Sequence, residues 1–227
     1  MRLEHFYCYN SGMRRFPELD IKEFKIFAKL DSPHKVQDFL DKLPINFDDV
    51  CRSPLMTLRQ GTAHCMEGAM LAAAAFWYNG ESPLLLDLRT APGDEDHVVT
   101  LFSRPRRSGR GRYWGAVSKT NHSVLRYRDP VYRDIRELVM SFFNEYFLND
   151  GQKTLRAYSR PFDLLRYGDD WLTTGKDMSY MEKDLDRSPH IRLIPNGSAR
   201  VLRPAHPLEI KASNFTEWRQ LKTLMSE

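Results

Sequence analysis

The chain has 227 residues, 34 lysines and arginines against 30 aspartates and glutamates, and 41% hydrophobic residues; this is enough to bury a sizeable core in one domain with excursions. No apolar stretch approaches the roughly 18 to 20 residues a membrane helix needs, and no signal-peptide core stands at the N-terminus, so a soluble, cytoplasmic protein is expected. Three separated cysteines, Cys8, Cys51 and Cys65, fit reduced thiols better than a disulfide framework; no phosphate loop, dinucleotide fingerprint or paired metal-ligand spacing is visible, and neither cofactor nor metal is expected.

Residues 1–31 are mixed: Phe6, Tyr7, Tyr9 and Phe16 need a packing surface, but their spacing selects neither the helical nor the strand period. Ser32-Pro33 opens a helix with Val36, Phe39, Leu40 and Leu43 on one face, ended by Pro44. Asn46 to Pro54 reads as a loop. It leads to the stretch on which the chain is centred, Gln60-Gly61-Thr62-Ala63-His64-Cys65-Met66-Glu67-Gly68, followed from Met70 to Tyr78 by apolar and aromatic residues only. A helix with no polar stripe belongs inside a domain. Thr62 is suited to be its N-cap, which puts Cys65 in the first turn, where unpaired N–H groups and the helix dipole favour a thiolate.

The turn cluster Asn79 to Pro83 precedes an apolar run, Leu84 to Leu88, and Asp96-His97 then opens a strand to Phe102. The returning strand carries Gly111 to Val117. Between them Arg104 to Arg112 holds five arginines; without them the rest of the chain would carry about −1, so the basicity is local. Such a loop suits phosphate contacts or an acidic partner, and equally a solvated hairpin tip. Asp129-Pro130 reads as N-cap and first helical residue of an amphipathic helix reaching Leu148. Beyond it, residues 152–190 suggest short helices, and His190 to Ile210 a hairpin in which His190 and His206 are solvated loop histidines.

The order of cysteine at a helix start, a Gly-Pro turn, a strand opening on histidine and a returning Gly-Arg-Tyr-Trp-Gly-Ala-Val strand resembles the transglutaminase-like branch of the papain-like cysteine enzymes. The resemblance covers Gln60 to Asn121, about a quarter of the chain. It implies an α+β fold with a papain-like or transglutaminase-like core, a buried Cys-bearing helix on an antiparallel sheet, and three parts: a helical segment (1–55), the catalytic core (56–150) and helices with a hairpin packed on that core (151–227). It also implies Cys65 as nucleophile and His97 as base.

One position departs from the family. Where an acid is expected four residues after the strand Trp114, the chain has Ser118, within Ser118-Lys119-Thr120-Asn121. If Phe102 faces Tyr113, the hairpin sets Ser118 opposite His97. Ser118 and Asn121 are then expected to orient the imidazole and Asp129 to be structural, although Asp129 would supply the missing charge if the chain folded back. Gln60 is either an oxyanion donor or a solvated loop residue. The expected function is attack on an amide bond of a peptide or protein, as peptidase, amidase or acyl transferase through a thioester; the alternative is a catalytically weak binding module of the same fold, for nucleic acid or an acidic partner at the arginine loop.

Overall fold

The computed structural model describes residues 14–107 and 110–216; Cys8, Phe6, Tyr7 and Tyr9 lie outside them. Proline and serine punctuation sets the first elements. After a 3-10 segment, Lys22–Lys29, α1 (Pro33–Lys42) follows an extended Ser32 with Pro33 at its first position, and buries Val36 and Leu40. A short helix then interrupts the expected loop-like approach: α2 (Pro54–Gln60) begins where the Ser53 side chain accepts the Met56 N–H, and ends at Gly61 with φ 71°. The central helix α3 (Cys65–Tyr78) is buried at every residue from Met66 to Trp77, as its lack of a polar stripe requires.

The sheet is antiparallel and has seven strands: β1 (Leu84–Arg89), β2 (His97–Pro105), β3 (Arg112–Val117), β4 (Arg128–Tyr132), β5 (Ala157–Ser159), β6 (Phe162–Asp163) and β7 (His190–Arg192). Their order is β4-β3-β2-β1-β5-β7, with β6 also on β1, so residues after 150 belong to the same sheet. Alternation along β2 gives it two cores. Val98 and Phe102 pack with α3, and Thr100 donates to the Ala69 carbonyl of α3 at 2.7 Å. Val99 and Leu101 pack on the other side against Leu138, Val139 and Phe142, the first two in α4 (Ile135–Met140). The architecture is therefore mixed α+β. Among the described residues no helix is long and apolar enough to cross a membrane.

Three expectations change. The helix from Asp129 to Leu148 is instead strand β4, then α4, then a 3-10 turn at Phe143–Glu145. Pro130 sits in a strand at the sheet's edge, where a missing N–H costs no ladder bond. The cap is Asp134, whose carboxylate accepts the Glu137 N–H at 2.8 Å; Asp129 is an exposed strand residue. The hairpin from His190 to Ile210 is half formed: β7 joins β5, but Ser198–Val201 is a 3-10 turn, and α5 (Ser179–Arg187) and α6 (Pro207–Ser213) flank this region. Finally, Phe102 faces Gly115 and Tyr113 faces Arg104, two residues from the expected register.

Candidate active site

The start of α3 is fixed by a buried carboxylate. Glu67, fully inaccessible, accepts the His64 N–H at 2.9 Å, the Arg52 N–H at 3.0 Å, and the Asn46 amide on both oxygens at 3.0 and 3.1 Å. His64 rather than Thr62 is thus the N-cap, with φ −90° and ψ −175°, and Cys65 is the first helical residue. Its sulfur lies against the backbone N–H groups of Val98 and Met66. Burial nevertheless pushes the thiol up to about 11, opposed by the Val98 N–H and reinforced by Glu182 and Glu95. The resting form is a neutral thiol.

His97 opens β2 and is 8% exposed. Its Nε2 is 2.6 Å from Ser118 Oγ. The register expected from the sequence would have made the two direct partners; in the true register Ser118 lies diagonally across, which keeps it on the same face because the offset is even. Among the described residues Nδ1 makes no hydrogen bond, and none joins the ring to Cys65 Sγ. Burial holds the imidazole down at about 4, with a further push from His122, so the ring is neutral at pH 7. In the tautomer whose Nε2–H donates to Ser118 the lone pair is on Nδ1, as a base requires; if the hydroxyl donates instead, the proton is on Nδ1.

Ser118 is itself clamped. The Gln37 side chain of α1 donates to its carbonyl and accepts its N–H, both at 2.9 Å. The next residue, Lys119, is 1% exposed; its ammonium donates to the Leu40 carbonyl at 3.0 Å and to that of Leu43, at the end of α1. Its stem passes directly over Gly68, where any side chain would collide with it. This explains a glycine inside a buried helix, and it sets the separation between α3 and the end of β3.

The remaining expected residues stand further out. Asn121 is half-buried in the loop after β3, but the imidazole's hydrogen bond goes to Ser118. Gln60 is exposed at the last position of α2. The arginine loop is largely bound to itself and its surroundings: Arg104 pairs with Glu81 at 2.9 Å, Arg106 stacks on Tyr113 and donates to the Arg133 carbonyl, and Arg112 donates to Ser103. Arg107 and Arg110 are exposed.

Several site residues were not read from the sequence. Cys51, His64 and Glu182 place ligand-type atoms within 4.8 Å of one another beside Cys65; only the His64-to-Glu67 spacing, that of a capping box, carried a signal. The Tyr146 hydroxyl is buried without a hydrogen-bond partner among the described residues, and burial, then the nearness of Cys65 and Asp94, keep it well above the usual phenol value. His190 is no solvated histidine: its Nε2 is 2.8 Å from Asp87 and its Nδ1 is 2.6 Å from the Ser188 carbonyl. A cleft of about 330 Å³ lined by Phe16, Phe24 and Trp77 opens at the opposite end of α3, away from Cys65. No protein family's sequence profile and no curated protein matches the chain.

Proposed function

We propose that the chain is a transglutaminase-like cysteine enzyme, working in a reducing cytoplasmic setting on amide bonds of a peptide or protein. One observation carries the reading: a cysteine heading a buried helix, its sulfur against the N–H of the residue after His97, with His97 held by Ser118 on Nε2 and unbonded on Nδ1. In the reaction Nδ1 takes the Cys65 proton as the sulfur bonds to the carbonyl carbon, so charge forms only with substrate present. The oxyanion falls near the Cys65 N–H, which heads the helix and has no carbonyl of its own helix to bond. The intermediate collapses to a thioester as the imidazolium returns its proton to the leaving amine. Water then gives hydrolysis; an amine gives transfer.

A second reading, a binding module that has lost turnover, is favoured by the hydroxyl in place of an acid and by the missing thiol–imidazole hydrogen bond. The arginine loop supports nucleic-acid binding less well, since Arg104, Arg106 and Arg112 are engaged within the protein. Alkylation with iodoacetamide followed by peptide mass spectrometry separates the two. For the enzyme, Cys65 is the most reactive thiol and His97→Ala slows its labelling by about 10²-fold or more. Labelling that ignores His97, or that prefers Cys51, would sink the assignment.

A further inference from the structure

Beside the candidate nucleophile, and separate from its chemistry, three unlike side chains converge. The Cys51 sulfur, a ring nitrogen of His64 and a carboxylate oxygen of Glu182 lie within 4.8 Å of one another. They come from the loop before α2, the cap of α3 and the first turn of α5. Cys51 is 1% exposed, whereas the His64 and Glu182 side chains are 21% and 37% exposed, so the cluster has a dry wall and a wet mouth. His64 Nε2 is 3.8 Å from Glu67 and 4.0 Å from Glu182, beyond hydrogen-bonding reach.

The backbone around these groups is braced. Cys51 donates its N–H to Asp177 at 3.0 Å and accepts the Met178 N–H at 2.8 Å, which ties the cysteine loop to the start of α5. The His64 N–H is held by Glu67. The carriers of the Cys51 and His64 ligand atoms are thereby fixed, and the His64 and Glu182 side chains are partly open to solvent.

We propose that Cys51, His64 and Glu182 bind a zinc-type divalent cation, with solvent completing the coordination at the exposed mouth. A thiolate, an imidazole and a carboxylate are the donor set of a borderline metal rather than of magnesium or calcium. Tetrahedral bonds of about 2.0–2.3 Å put ligand atoms roughly 3.3–3.6 Å apart, somewhat closer than the 4.0 Å between His64 and Glu182, a contraction that half-exposed Glu182 supplies most easily. Thiolate and carboxylate together offset the charge of the dication. Burial argues against Cys51 as a second nucleophile, since a substrate carbonyl cannot reach it, while a ligand sulfur needs only the ion. Such an ion joins three segments at the residue preceding Cys65 and stiffens the entrance to α3. This inference does not depend on Cys65 being catalytic.

The test is a cobalt titration of the full chain, read by absorbance, with zinc displacement and a chromophoric chelator as competitor. One equivalent of Co²⁺ is expected to give a thiolate-to-metal band in the near ultraviolet and tetrahedral visible bands, both bleached by zinc. Cys51→Ser removes the thiolate band, and Glu182→Gln, a near-isosteric change at a half-exposed position, weakens zinc by at least the roughly 10- to 100-fold typical of changes one layer further out. Cys65→Ala leaves the band in place. Absence of the band in the wild type, its persistence in Cys51→Ser, or its loss in Cys65→Ala would each overturn the site.

Discussion

Two histidines whose side chains are largely covered sit in the same sheet and have opposite surroundings. His190 in β7 is saturated: its Nδ1 faces the Ser188 carbonyl and its Nε2 the Asp87 carboxylate. A carbonyl can only accept, so Nδ1 carries a proton, and the contact with Asp87 is favourable only if a further proton lies between Nε2 and the carboxylate. Among the described residues His97 in β2 has one hydrogen-bond partner, a hydroxyl, and a second nitrogen without one. A carboxylate thus stands on His190, and a hydroxyl on His97. The pair with the better charge complementarity has the Ser159 hydroxyl beside it, which accepts the Asp87 N–H, whereas the imidazole that opens β2 is kept neutral by burial. An acid–base group needs that spare valence more than it needs a strong partner.

The comparison breaks most visibly in stability. His190→Ala strands Asp87, 1% exposed, and is expected to cost about 3 kcal/mol in chemical denaturation while leaving Cys65 alkylation unchanged. A comparable loss of alkylation would make the two sites one. The pH dependence sharpens the same point. Asp87 is raised to about 6, first by burial and then by Asp96 and Asp186, against the pull of His190. Because its folded value lies above the unfolded one of 3.8, its stabilising contribution is complete below that value and is lost as pH rises through about 6. Asp87→Asn removes this titration, and its amide can donate to Nε2. Relative to wild type it should therefore gain on the order of 2 kcal/mol between pH 4 and pH 7, measured as the difference of the two denaturation profiles. A flat difference would contradict the buried, protonatable carboxylate.

A smaller effect is expected at the other histidine. Ser118→Ala removes one hydroxyl hydrogen bond from a neutral ring, worth about 1 kcal/mol, and should slow Cys65 alkylation by roughly five- to tenfold while lowering the melting temperature by only about 2–4 °C. Ser118→Asp gives His97 the partner that His190 has; faster alkylation is the expected result, and slower alkylation would mean that added charge disturbs the site more than it assists the base. The smallest contrast lies in β4 and α4. Asp134→Ala removes a cap and should cost about 1 kcal/mol, whereas exposed Asp129→Asn should stay within about 0.5 kcal/mol and leave thiol reactivity alone.

What could be read in advance follows from the range of the interactions. The buried α3, the helix after Ser32-Pro33 and the strand opening on His97 are written in local pattern, and all three form. The contact between His97 and Ser118 was reachable through a register in error by two, because parity, which decides the face, survives an even slip. Parity also sets His97 with Val99 and Leu101, facing away from the α3 side of β2, while the Cys65 sulfur lies against the N–H of the next strand residue, Val98. Residues 129–148 failed because Val131, Ile135, Leu138, Val139 and Phe142 keep helical spacing across a strand, a turn and a short helix; Asp134 with Glu137 carried the better cap signal. Gln37, Glu182 and His190 reach their partners from distant segments, and no spacing rule spans such separations.

The seat of Lys119 has a mechanical consequence. Freeing the segment that carries Ser118 means withdrawing an ammonium from the carbonyls that end α1, breaking the Gln37 clamp, and opening a void above Gly68. These losses come together, so that wall of the candidate site behaves as an anvil, yielding only when the domain melts. The opposite side, the turn before His97, is held by separate side-chain hydrogen bonds, Thr90 donating to Asp96 at the surface and buried Thr154 donating to Asp94. Because Ser118 is held from α1 and not from that turn, loosening the turn would leave the imidazole's partner in place.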